Sequence, residues 1–197
     1  MQNGEEWYLA EPPGWVPVPV AAAAEVLDRR VILAAPPGAF RPDMRAVSPL
    51  YQREDSGWVD VVSEHDWYRS RIRAEPVPTS PYPADRVWVE QRTTTAPGTP
   101  DDDPEWATVL GQLNPTDPPP RRTPRRARDV ADLTGRRLVV AQPDGPVFHR
   151  RAVSEPHQDS AGDIEVTICS EYDWYRWSIT REPPRAQRFP IYLLWVE

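Results

Sequence analysis

At 197 residues, with 39% hydrophobic and 10% aromatic side chains, the chain is long enough to bury one or two ordinary cores. Its net charge of −7 argues against a wholly basic nucleic-acid-binding domain, and its single cysteine excludes an internal disulfide or an all-cysteine metal site. Twenty-six prolines against nine glycines favour stiff, extended connections over long helices.

Residues 1–25 form an acidic, Pro/Ala-rich segment with four Glu and no Arg. This is the reverse of a signal peptide's basic and then apolar layout, and no apolar run approaches membrane-spanning length, so a cytoplasmic, soluble protein is expected. Within the segment, Glu5, Glu6, Trp7 and Tyr8 form a candidate docking stretch.

Residues 26–90 read as a first, mainly β repeat. "RRVILAA" is a short β-branched run ending at a Pro-Pro-Gly turn, "GWVDVVSE" alternates like a half-buried strand, and "DRVWVE" closes the unit as another strand. Residues 91–132 read as a linker. It holds "TTTAPGTP", an acidic "DDDPE", a short apolar patch at 105–113 suited to a brief docking helix, and a basic "PPPRRTPRRAR".

Residues 133–197 repeat the first unit. Residues 63–90 fall without a gap on 170–197, with 13 of 28 positions identical. Upstream, "RRVILAAPPG" falls on "RRLVVAQPDG" and "RAVS" on "RAVS". "IEVTIC" repeats the alternating strand, and "YLLWVE" the closing one. Units of about 65 residues suit small domains better than a solenoid. The fold class is therefore mainly β, with two tandem repeats resembling small SH3-like barrels. Each is expected to have four or five strands and one short helix.

That helix is expected at the most strongly repeated stretch, "SEHDWYR" at 63–69 and "SEYDWYR" at 170–176. Ser followed three residues later by Asp has capping-box spacing, and a helix running to the following Glu-Pro brings Trp174 and Trp177 onto one face. A strand with Tyr68, Ser70 and Ile72 inward is the competing reading. The acidic and basic residues of the heptad, Glu64, Asp66 and Arg69 with Glu171, Asp173 and Arg176, are read as a helix cap with a local ion pair rather than as a catalytic acid–base set.

Two candidate contact surfaces emerge. Trp67, Tyr68 and Arg69, with Trp174, Tyr175, Arg176 and Trp177, would bind a protein partner, since Trp offers large contact area at little entropic cost. Trp88 and Trp195, in apolar strands, are read as core. Alternatively, Arg121, Arg122, Arg125, Arg126 and Arg128 would contact DNA or RNA as a linker arm. His65, His149, His157 and Cys169 show no zinc spacing, and no phosphate loop or nucleophile motif is present. No metal, cofactor or enzymatic activity is expected, and Cys169 should behave as a small hydrophobe.

The functional expectation is a non-enzymatic adaptor that engages a protein partner, with a nucleic-acid accessory role as the alternative. All 23 basic residues are Arg, which fits codon bias in a high-GC bacterium better than selection against lysine modification. The copies differ at Ser70/Trp177, Asp85/Tyr192 and Arg86/Leu193, which makes the second the more apolar along its last strand.

Overall fold

The computed structural model describes residues 7–35, 39–93 and 118–197. The chain divides into two compact units, one of residues 15–122 and one of residues 1–14 with 123–197. We call them the first-copy and second-copy units. Among the described residues each carries one antiparallel seven-stranded sheet and one α-helix, and the two are similar halves.

In the first-copy unit the elements are β1 (Trp15–Pro19), β2 (Arg30–Ala35), β3 (Ala39–Ala46), β4 (Tyr51–Arg53), β5 (Ser56–Ser63), α1 (Glu64–Arg73), β6 (Ser80–Pro83) and β7 (Val87–Arg92). The sheet order is β1-β7-β2-β3-β5-β4, with β6 also pairing β5. In the second-copy unit they are β8 (Arg125–Arg126), β9 (Arg137–Val140), β10 (Val147–Ala152), β11 (His157–Gln158), β12 (Ile164–Ser170), α2 (Glu171–Thr180), β13 (Ala186–Pro190) and β14 (Leu194–Val196). Here the order is β11-β12-β10-β9-β14-β8, with β13 on β12.

Seven strands form where four or five were expected: six begin within each repeat as read from sequence, and one more lies before its boundary. β1 lies within the acidic segment and β8 within the stretch read as linker. Each pairs with the closing strand of its copy, Val18 with Val89 and Arg125 with Val196. Pro17 and Pro19 argue against a strand when read as letters. An end strand tolerates them because only one of its edges must supply ladder hydrogen bonds. A 3-10 turn comes next in both copies, Val20–Ala22 and Ala127–Asp129, and buries its first residue to 1% exposure.

Alternation then sorts the side chains. Val31 and Leu33 of β2 join Val59, Val61, Val87 and Val89 in an aliphatic core, and Leu138, Val140, Val166, Ile168, Leu194 and Val196 build its counterpart. The intervening residues, Arg30, Ile32 and Trp88 in one copy and Arg137, Val139 and Trp195 in the other, are buried on the reverse face. Trp88 packs edge-on against Phe40, with centroids 6.1 Å apart.

The heptad is helical in both copies. Ser63 Oγ accepts from the Asp66 amide at 3.0 Å and donates to its carboxylate at 2.8 Å, and Ser170 and Asp173 do the same at the same distances. The helices stop before the Glu-Pro, at left-handed Ala74 (φ 53°) and Arg181 (φ 67°). Their buried residues lie at i and i+4, namely Glu64 with Tyr68 and Glu171 with Tyr175. The apolar patch at 105–113, the "TTTAPGTP" run after Thr93, the "DDDPE" run, the Pro-Pro-Gly turn at 36–38 and the residues Glu5 and Glu6 lie outside the described residues. Among the described residues no helix is long and apolar enough to cross a membrane.

Candidate functional site

The most heavily built polar feature in each unit surrounds the Glu of the heptad. Arg30 on β2 and Arg45 on β3 are directly opposite each other, as are Arg137 on β9 and Arg151 on β10. Two guanidinium groups facing across a ladder repel. Glu64 resolves the conflict: at 1% exposure, its Oε1 accepts from Arg30 Nε at 2.9 Å and lies 2.7 Å from Arg45 Nη2. Glu171, also at 1% exposure, lies 3.3 Å from Arg137 Nε and 3.9 Å from Arg151 Nε, with His149 Nδ1 at 3.2 Å. Both carboxylates sit in the first turn of a helix, where the backbone dipole adds to their stabilisation.

This corrects the expectation of a merely local ion pair. The local pair exists, but it is made by the Asp: Asp66 with Arg69 at 3.1 Å and Asp173 with Arg176 at 3.6 Å. The Glu points inward to partners 34 and 19 residues away in sequence. The inner Arg also ties down a left-handed turn in each copy. Arg45 donates to the carbonyl of Asp28 (φ 63°) at 2.9 Å, and Arg151 to that of Gly135 (φ 82°) at 2.7 Å.

The other heptad residues complete this frame. Tyr68 and Tyr175 are buried, and Arg151 donates to the Tyr175 hydroxyl at 2.8 Å. Trp67, half-buried, donates from Nε1 to Asp28 at 2.9 Å and lies between the guanidinium groups of Arg45 and Arg71, 4.5 and 3.9 Å from its ring. Burial raises the Asp28 pKa, but the hydrogen bonds from Trp67 and Arg71 and the nearby positive charge outweigh it, so the carboxyl sits below its ordinary value. The second copy has Gly135 at this position, with Trp174 lying against it and Trp177 edge-on at 5.5 Å. Trp67, Tyr68 and Arg69, like Trp174, Tyr175, Arg176 and Trp177, are therefore gathered around the helix and its clamp.

The arginine run does not behave as one segment. Arg121 and Arg122 belong to the first-copy unit, where Arg122 pairs with Glu90 and exchanges backbone hydrogen bonds with Trp15 at 2.8 and 3.0 Å. Arg125 and Arg126 form β8 of the second-copy unit. Arg126 stacks 4.3 Å over Trp195 and donates to the carbonyl of Leu9. Arg128 is exposed beside Asp129, at 3.7 Å.

Among the described residues, the clefts of the second-copy unit include the following two. One, of about 280 Å³, is bounded by the 7–13 segment and by 139–146, with Trp7, Pro12, Pro13, Pro143, Pro146 and Trp195 in its walls. Tyr8 extends the aromatic surface through an edge contact with Tyr192 at 5.7 Å. The other, of about 250 Å³, carries Arg150, Arg185, Gln142 and Gln187 over Val140, Ile168 and Phe189.

Cys169 borders this second cleft but is buried, and desolvation, then the Asp173 charge, push its thiol up to about 11. A thiol so rarely ionised at neutral pH is a poor nucleophile. Iodoacetamide should therefore label Cys169 far more slowly in the native protein than in urea. Rapid native labelling at pH 7 would show that the thiol is open to solvent. Among the described residues no group of three or more His, Cys, Asp or Glu side chains is placed to hold a metal ion.

Sequence reading missed the clamp, although its signal was present: charged residues repeated inside otherwise apolar blocks, in "RRVILAA", "RRLVVAQ" and both "RAVS" stretches. Compared with protein-family models, with curated proteins and with solved structures, the chain matches none.

Proposed function

We propose that the chain is a non-enzymatic, cytoplasmic binding protein of two small SH3-like barrels, and that it engages a protein partner chiefly through the second-copy unit. The observation that carries this reading is the distribution of exposed apolar surface. Among the described residues, six large hydrophobic side chains are exposed: Trp7, Leu9, Ile164, Tyr172 and Tyr192 belong to that unit and Leu27 to the other. Of these, Trp7 lines the aromatic cleft and Tyr192 meets its neighbour Tyr8, and exposed apolar surface of this kind favours partner binding.

The cleft walled by Trp7, Trp195 and four prolines suits an extended, proline-containing segment of the partner. Such a segment is already stiff and loses little entropy on docking against aromatic rings. The heptads then serve chiefly as framework, since Trp67 and Trp174, Tyr68 and Tyr175, and Glu64 and Glu171 are engaged within each unit. An enzymatic reading is disfavoured because Glu64 and Glu171 are enclosed by arginine and sealed from any substrate. The nucleic-acid reading is disfavoured because Arg122 and Arg126 are already engaged, on Glu90, Trp195 and the Leu9 carbonyl.

Selection of displayed peptides against the full chain tests this. Enriched sequences should contain spaced prolines, bind with micromolar affinity and little salt dependence, and lose binding with Trp7→Ala. Selected peptides unaffected by Trp7→Ala would overturn the assignment to this cleft. Tight binding of single-stranded nucleic acid that collapses with salt and with Arg125→Gln/Arg128→Gln would overturn the protein-partner reading in favour of the arm.

A further inference from the structure

The duplication supplies an internal control for the second cleft. Strand register fixes which residues correspond. Met44 and Arg150 both pair with the serine that caps the helix, as Met44↔Ser63 and Arg150↔Ser170. Ser80 and Gln187 both pair with the same core position, as Val61↔Ser80 and Ile168↔Gln187. The offset of 107 adds Pro78 for Arg185, Val62 for Cys169 and Ala35 for Gln142. Every polar side chain that distinguishes the cleft thus stands where the first copy has Met, Pro, Ser or Ala. The framework itself does not require this chemistry.

The first copy also makes a bond here that the second cannot. Tyr82, at the position of Phe189, donates its hydroxyl to the carbonyl of Ala34. Phe189 has no hydroxyl with which to make that bond, and the cleft of about 250 Å³ lies beside it.

The charges are unbalanced. Among the described residues neither Arg150 nor Arg185 lies within ion-pair distance of a carboxylate, although both line the cleft. The only acid in its lining is Asp173, which accepts from Ser170 Oγ at 2.8 Å and faces Arg176 at 3.6 Å. Two guanidinium forks and the amides of Gln142 and Gln187 thus surround an apolar floor of Val140, Ile168 and Phe189.

The geometry points to a binding site for an oxyanion, a phosphate or carboxylate, carried on a short apolar stem. The guanidinium groups match such an anion with paired N–H donors, and the floor accepts the stem. The volume limits the stem to a few carbons or a single ring. The anion is either a free small molecule or the acidic or phosphorylated side chain of a partner. This inference stands apart from the proline-binding reading and survives its failure.

Nuclear magnetic resonance titration of the full chain with inorganic phosphate, phenyl phosphate and benzoate tests it. Saturable shifts are expected at the Arg150, Gln187 and Phe189 amides, with phenyl phosphate tighter than inorganic phosphate. A peptide carrying one phosphotyrosine separates the sources: tighter binding than phenyl phosphate marks a partner's side chain, and equal or weaker binding a free small molecule. Arg150→Met installs the residue the first copy already uses there, and Arg185→Gln removes charge while keeping an amide. Each should weaken phenyl phosphate about tenfold or more, with the denaturation midpoint unchanged. Absence of saturable shifts, or shifts that persist in the folded double variant, would overturn the site.

Discussion

Glu64→Gln is expected to destabilise the first-copy unit by about 3–5 kcal/mol, far more than a substitution in a surface heptad would. The side chain keeps its shape, but its charge is gone. Arg30, with its side chain 5% exposed, and Arg45, at 10%, then face each other across the ladder without their shared carboxylate. Removing one partner of a buried ion pair leaves uncompensated charge in a poorly solvated place, and that cost exceeds the net worth of the pair. Glu171→Gln should damage the second-copy unit through Arg137 and Arg151. Urea denaturation followed by tryptophan fluorescence and amide exchange would read both. The triple variant Glu64→Leu/Arg30→Met/Arg45→Met should recover most of the loss, because an apolar replacement removes the whole electrostatic problem. A loss below about 1 kcal/mol for Glu64→Gln would show that water reaches the clamp and carries the charge instead.

That clamp also explains why the heptad is written twice. Ser caps the helix, Asp closes the capping box and pairs with Arg69 or Arg176, Tyr is buried one turn beyond Glu, and Glu neutralises the cross-strand arginines. The capping box was legible because its two residues are three apart and interact locally. The role of Glu was not, because its partners sit on other strands and only folding brings them near. The core strands were legible from alternation: Val166 and Ile168 are buried in the core as that pattern predicts. Ile164, expected on the same face, is half exposed at the strand's start.

The end strands escaped the same reasoning for a different reason. "WVPVP" and "RR" carry no strand pattern, since proline lacks a donor and a two-residue strand has no period. Their position is set by the buried turn at the C-terminal end of each strand. Val20 and Ala127 are each 1% exposed, and each starts a 3-10 turn that leads the chain into the core. Internal matching could have found this, because the offset of 107 that aligns the heptads also places Pro17 on Pro124 and Val26 on Leu133.

Leu133→Ala is therefore expected to cost the second-copy unit about 2–5 kcal/mol, as truncation of a fully enclosed leucine does. Leu133 is 0% exposed in the cluster that contains Ala127, Leu138 and Leu194. It also sits where the carboxylate of Glu155 accepts from two successive amides, Leu133 at 3.0 Å and Thr134 at 2.9 Å. The cavity would loosen the anchor that holds the preceding turn and β8, so hydrogen exchange should accelerate first between Arg125 and Leu133. This separates two roles for the arginines. If Arg125 and Arg126 are strand residues, as their pairing with Val196 and Trp195 has them, Leu133→Ala should expose the segment and raise any salt-sensitive affinity for nucleic acid. If such affinity is already full in the unaltered chain and Leu133→Ala leaves it unchanged, the arginines act without leaving the sheet, and β8 itself is the contact.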